Sequence, residues 1–235
     1  MQGFLHYLLL VLCLFMISIN KAFSQENFES EEQEIAEPLF RDNTTDIGSE
    51  QGSIELNFIP SWVKNDAFNQ MSEGIEIEYT LKEGWGIEAE FSHFSNKLNT
   101  GESESKFGKV ELGIQHTLWQ NTSNAFAIGL ETEAPISKED AWSFAPFATY
   151  AFLWSEKLSS QFGLSPEIEL EEEAELELAY QASLLYALGD GLVGFELLGS
   201  YEEEVYLAIA PQMSWSWGDF SVGGGLGYPR KVGLN

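Results

Sequence analysis

The stretch "PEIELEEEAELELAY", residues 166–180, sets seven glutamates among fifteen positions. Ile168, Leu170, Ala174, Leu176, Leu178 and Tyr180 take even numbers, while Glu167, Glu169, Glu171, Glu173, Glu175 and Glu177 take odd ones. Glu, Leu and Ala favour helix by propensity. A helix would scatter the two sets around its circumference, whereas a strand puts them on opposite faces. The period of two therefore decides for a strand with one apolar face and one carboxylate face.

The same alternation recurs along the chain. "IEIEYTL" sets Ile75, Ile77, Tyr79 and Leu81 against Glu76 and Glu78, and "WGIEAEF" sets Trp85, Ile87, Ala89 and Phe91 against Glu88 and Glu90. "VELGIQHTL" and "FAIGLETE" repeat it with Glu111, Glu131 and Glu133 on the polar side. Eleven strand-like segments result, near 53–62, 73–81, 85–95, 107–119, 124–134, 142–154, 158–170, 174–188, 192–200, 204–217 and 219–228. Many are longer than strands of soluble sheets usually are and suit a tilted crossing of a bilayer. Tight connections ("KEG", "QNTSN", "SEK", "GDG", "GD") alternate with others that are often longer, such as "VKNDAFNQM" and "NKLNTGESESK". Trp85, Trp119, Trp154, Trp215 and Trp217 gather at the tight-turn ends, and Trp62 and Trp142 at the long-loop ends, as in an interfacial aromatic girdle.

These features predict an all-β fold over residues 51–235, a transmembrane up-and-down antiparallel β-barrel of 10–12 strands. A sheet with lipid on its outer face must close to pair its backbone groups. Eleven is odd, so either "RKVGLN" adds a twelfth strand or one strand is split. Alternation alone equally fits a soluble sandwich or lipocalin-like barrel with the faces reversed.

The chain carries 38 acidic and 11 basic residues, a formal charge of −27. That balance excludes nucleic acid as a partner, because phosphates are repelled. Residues 1–24 read as a secretory signal, with an apolar run at 8–19 and the small residues Ala22 and Ser24 before Gln25; an uncleaved N-terminal membrane anchor is the alternative. Its cleavage removes Cys13, the sole cysteine, and with it any disulfide or thiol chemistry. Residues 25–50 hold nine acids and one arginine and read as a solvated, disordered segment.

With the apolar face in lipid, Glu76, Glu78, Glu88, Glu90, Glu111, Glu131, Glu133, Glu167, Glu169, Glu175, Glu177 and Glu196 line the lumen. Acidic linings favour cations, and low-dielectric walls sharpen the field. The alternative is an interior filled by its own side chains that conducts nothing. One stretch suggests catalysis instead. "SHFSN" (92–96) resembles the His-x-Ser-Asn motif of outer-membrane lipid A deacylases, which makes His93 and Ser95 an alternative catalytic pair on the lipid side. No Cys/His metal spacing, phosphate-binding glycine loop or EF-hand spacing occurs, so no metal or cofactor is expected.

"EGIEIEYTLKEGWGIEAEF", "FAIGLETEAPIS", "WSFAPFATYAF", "GFELLGS" and "VYLAIAPQMSW" with "FSVGGGLGYP" resemble outer-membrane barrels grouped with the meta-pathway phenol-degradation proteins. The resemblance covers about Ser53 to Pro229. It implies a porin-like or transporter-like protein of the cell outer membrane, whose partners are outer-membrane lipid, the barrel-assembly machinery and small solutes or cations. It supplies no catalytic residues. The chain departs from that pattern in ending "KVGLN", without a terminal aromatic.

Overall fold

The computed structural model describes residues 51–64, 68–82, 84–98, 103–136, 141–170, 175–201, 205–217 and 220–232. The expected signal (1–24) and acidic segment (25–50) lie outside the described residues, as do the side chains of Trp62, Ser95 and Glu175.

The described residues form one antiparallel up-and-down sheet in which β1 to β11 each pair with the next in chain order and the short β12 pairs with β10. Its strands are β1 (Ile54–Lys64), β2 (Phe68–Lys82), β3 (Trp85–Leu98), β4 (Ser103–Gln120), β5 (Asn124–Pro135) and β6 (Ser143–Ser155). There follow β7 (Leu158–Glu169), β8 (Glu175–Leu188), β9 (Gly191–Tyr201), β10 (Val205–Trp217), β11 (Phe220–Gly225) and β12 (Tyr228–Val232). The all-β antiparallel expectation holds.

The question of a twelfth strand resolves through register. β10 pairs with β11 from Trp217↔Phe220 to Gln212↔Gly225, and with β12 from Ile209↔Tyr228 to Val205↔Val232. The two pairings share one register, so β12 continues β11. The interruption falls opposite Pro211, which has no N–H to give the ladder; Leu226 N–H still donates to the Pro211 carbonyl at 3.1 Å. "RKV" thus extends the eleventh strand rather than adding another.

Local chemistry explains the tight turns. Gly84 (φ 72°) and Gly189 (φ 64°) take left-handed backbone conformations that other residues adopt only with strain. Asn121 Oδ1 accepts from the backbone N–H groups of Ser123 (2.9 Å) and Asn124 (3.0 Å). Ser155 Oγ accepts from Lys157 and Leu158 in the same manner. Register shifts between Thr80 and Lys82, Thr117 and Trp119, and Leu153 and Ser155 sit beside three of these turns.

The two faces differ in exposure. Glu76 is 3 % exposed and Glu78 4 %, while Ile77 between them is 45 % exposed. Leu56, Ile75, Phe91, Leu112, Ile114, Ile128, Phe162, Leu176, Phe195 and Met213 are likewise exposed. Trp142, Trp154, Trp215 and Trp217 are exposed at the strand ends, and Trp85 and Trp119 are half-buried. One face of the sheet thus carries the buried and half-buried glutamates, and the other carries exposed aliphatic side chains.

Close approaches between strands depend on glycine. A Cβ built on Gly194 would overlap the Leu184 carbonyl oxygen, a backbone atom that cannot swing aside. Gly224 has open space around it. Gly194→Ala is expected to destabilise the protein by about 1–3 kcal/mol, read as a lower urea midpoint for unfolding, with Gly224→Ala close to wild type.

Candidate functional site

Strand register arranges the glutamates of that face, some buried and most half-buried, into rows. The first runs by direct pairing through Asn57, Glu76, Glu90, Glu111, Glu133, Ser143, Glu169 and Glu175 across β1 to β8. The second, two residues along each strand, runs Glu55, Glu78, Glu88, Gly113, Glu131 and Ala145. Glu167 faces Glu177 across β7 and β8. Carboxylates thus stand directly opposite carboxylates, an arrangement that costs stability in an ordinary sheet. At a spacing of ~5 Å and an effective dielectric of ~20, each ionised pair repels by about 3 kcal/mol.

Neutral donors offset part of this. Asn57 Nδ2 donates to Glu76 Oε1 (2.8 Å) and to Glu78 Oε1 (2.7 Å), bridging the two rows at the β1 edge. At the middle of the second row, Gly113 leaves room that Glu88 fills, since a Cβ there would lie 2.5 Å from Glu88 Oε1. Glu88, Glu111 and Glu131 consequently each offer a carboxylate oxygen within 4.8 Å of the others. Three converging carboxylates are a donor set suited to a hard cation. Single-strand spacing could not reveal this set, because the three residues come from β3, β4 and β5 and meet only through register.

Glu196 lies apart from the rows. It is fully buried on β9 and accepts from Gln212 Nε2 at 3.1 Å. The structure therefore brings Glu76, Glu78, Glu88, Glu90, Glu111, Glu131 and Glu133 together on β2–β5 and Glu167, Glu169 and Glu177 together on β7–β8. Position 175 belongs to the first row by backbone register.

His93 sits on the opposite, apolar face. It pairs with Glu73 on β2 and Phe107 on β4, and position 95 pairs with Met71 and Ser105. Glu73 is exposed. Sequence reading placed His93 and Ser95 on one side of a strand but missed Glu73. His116 stacks on Trp85 with ring centroids 4.2 Å apart and places Nδ1 3.0 Å from the Gly84 carbonyl oxygen. Lys82 Nζ lies 5.4 Å from the centroid of the same Trp85 ring.

A family model described as HAEPLYID-like matches residues 32–223. No curated protein matches the chain. The letters of the family description recur as residues in "IAEPLFRD" (35–42), with Ala36, Glu37, Pro38, Leu39 and Asp42 in place and Phe40 where the description has Tyr. That segment lies outside the described residues, and composition had marked it only as acidic.

Proposed function

The chain belongs to the HAEPLYID-like family, and we propose that it is an outer-membrane β-barrel that passes small cations through a carboxylate-lined interior. The observation that carries this reading is the exposure of the two faces. A flat sheet cannot cover one of its own faces, and among the described residues no other element covers this one. Curling the sheet until its first and last strands meet encloses the glutamates and turns the aliphatic band outward. Such a band in water would be a very large exposed apolar patch; in a bilayer it meets acyl chains, and closure pairs the edge strands. The strand motifs' likeness to the meta-pathway barrels points the same way.

The carboxylate rows give the interior its selectivity. Few compensating cations are available, since the whole chain has only 11 lysines and arginines. Anions are repelled, and mobile cations lower the repulsion between facing carboxylates. The test is fractionation with heat-modifiable gel migration, followed by planar-bilayer recording. Wild-type protein is expected in the membrane fraction, with compact and heat-expanded forms, and with a conductance whose reversal potential under a salt gradient favours cations. Recovery as a soluble protein removes the barrel reading, and a folded barrel that conducts nothing removes the passage reading.

The pairing of Glu73 with His93 supports a second reading, a lipid-face ester hydrolase. Position 95 supplies a hydroxyl, His93 the general base, and Glu73 the group that orients the imidazole. Under this reading wild-type protein releases acyl chains from lipid A in mixed membranes, and His93→Ala lowers the rate by a factor on the order of a thousand. Absence of release by wild-type protein rules it out.

A further inference from the structure

From the tight-turn ends of β5 and β6 to the middle of β9 and β10 the glutamate-bearing face changes character. A third row runs Ala125, Ala151, Gln161, Ser183, Glu196 and Ala210 by direct pairing. The row beside it begins Ala127, Thr149 and Gly163. Most of these side chains are short, which makes this part of the wall a recess. Ala125, Ala127, Ala151 and Ala210 are nonetheless fully buried. Leu153 packs against the first three of them. No element among the described residues lies over the recess, because each strand contacts only the strands it pairs with. Ser183 Oγ and Gln181 Oε1, on residues 5 % and 7 % exposed, have no hydrogen-bond partner among the described residues.

Buried polar atoms are normally paired, and a methyl group on the wall of an open bore would be wetted. A stretch of peptide answers both, since its backbone N–H groups donate while its side chains fill the volume. The chain supplies one. Residues 51–53 lead into β1 at the tight-turn end, where Gly52 N–H donates to the Thr80 carbonyl at 2.8 Å, and the recess begins at that same end. The family match starts at residue 32, so the shared unit includes the segment ahead of β1. Within it "IAEPLF" (35–40) is the most apolar stretch, and Arg41 is the one basic residue of 25–50. Residues 43–51 reach about 30 Å when extended. A closed ring of such strands, ~4.8 Å apart, encloses a bore roughly 17 Å across before tilt, so the segment can reach the far wall. Glu34, Glu37 and Asp42 are repelled by the carboxylate rows, which leaves the mostly neutral recess as the part of the inner face that accepts them.

We infer that residues 35–42 seat in this recess as a plug, with Leu39 and Phe40 against the alanines and Arg41 turned toward the carboxylates of the same face. This inference rests on the reading of the sheet as a closed barrel, and it adds a means of regulating the passage. The plug lies against β5–β10 and leaves the glutamates of β2–β5 as the lining, so the protein conducts and displacement of the plug widens the path.

The test uses the full chain in membranes, in a Cys13→Ser background. Ser183→Cys is expected to react slowly with a small water-soluble thiol reagent. Adding Leu39→Asp and Phe40→Asp should speed that reaction roughly tenfold or more and raise the conductance, whereas adding Glu156→Gln, in an exposed turn, should change neither. Leu39→Cys paired with Ala151→Cys or with Ser183→Cys is expected to form a disulfide within one chain on mild oxidation, which needs Cα atoms within about 7 Å. Leu39→Cys with Leu112→Cys, on the opposite face, should not. All variants should keep heat-modifiable migration. The plug is overturned if the aspartates leave the Ser183→Cys rate unchanged, as a water-filled recess requires. It is equally overturned if neither inner pair cross-links better than the Leu112 pair, or if cross-links form only between chains. Cation-selective conductance without these effects removes the plug alone. Intramolecular cross-linking in a barrel that conducts nothing even with the aspartates in place supports the plug and removes only the passage.

Discussion

Glu76, Glu90, Glu111 and Glu133 replaced together by glutamine are expected to abolish most of the cation preference in planar bilayers. The four occupy one cross-strand row on β2–β5, so the substitution removes a contiguous band of charge while keeping side-chain size. A cation ~5 Å from one carboxylate gains about 3 kcal/mol at an effective dielectric of ~20, more than a hundredfold in occupancy. Salt screening reduces this, so the contrast between wild type and variant should be largest at low ionic strength. The reversal potential under a salt gradient should move toward zero. Folding should not suffer, because the variant also loses the repulsion between facing carboxylates. A quadruple variant that folds and keeps full cation preference would place the selecting charges elsewhere, with the facing pair Glu167 and Glu177 the next to replace.

Local pattern predicted the strands well where turn chemistry is local. The ends at Lys82, Gln120, Ser155 and Leu188 fall within a residue of expectation, because glycine, asparagine and serine fix those turns over a few positions. The opposite ends of β1 to β4 run longer than expected. β2 begins at Phe68 rather than 73, and β4 at Ser103 rather than 107. "FNQMS" and "SESKF" have no clean alternation, since backbone pairing continues past the part of the strand where one face must be apolar. Which glutamates share a face was legible from parity. Which of them meet was not, because the row from Glu76 to Glu133, the triad of Glu88, Glu111 and Glu131, and the pairing of Glu73 with His93 all depend on register between strands. The break at Leu226–Gly227 has the same origin: Pro211, its cause, lies on the neighbouring strand.

The orientation of the sheet makes a sharper demand than its charge. Leu112 is 54 % exposed and stands in a row with Ala89, Ile77 and Leu56 on the outward face. In a water-soluble protein, arginine at so exposed a position would change stability by no more than about 0.5 kcal/mol. In a bilayer the same arginine costs about 2–4 kcal/mol near the midplane. The double variant Ile77→Arg/Leu112→Arg costs roughly twice that if the sites act independently, comparable to the whole stability of many domains. It is therefore expected to leave the membrane fraction and lose its heat-modifiable form, while Glu111→Leu, on the buried face, should still assemble. Leu112 and Glu111 are adjacent residues of β4 on opposite faces, so opposite outcomes tie assembly to the face that is changed rather than to position along the strand. If the double arginine variant assembles normally and Glu111→Leu does not, the apolar band does not face lipid, and the reading of the carboxylate rows as a passage fails with it.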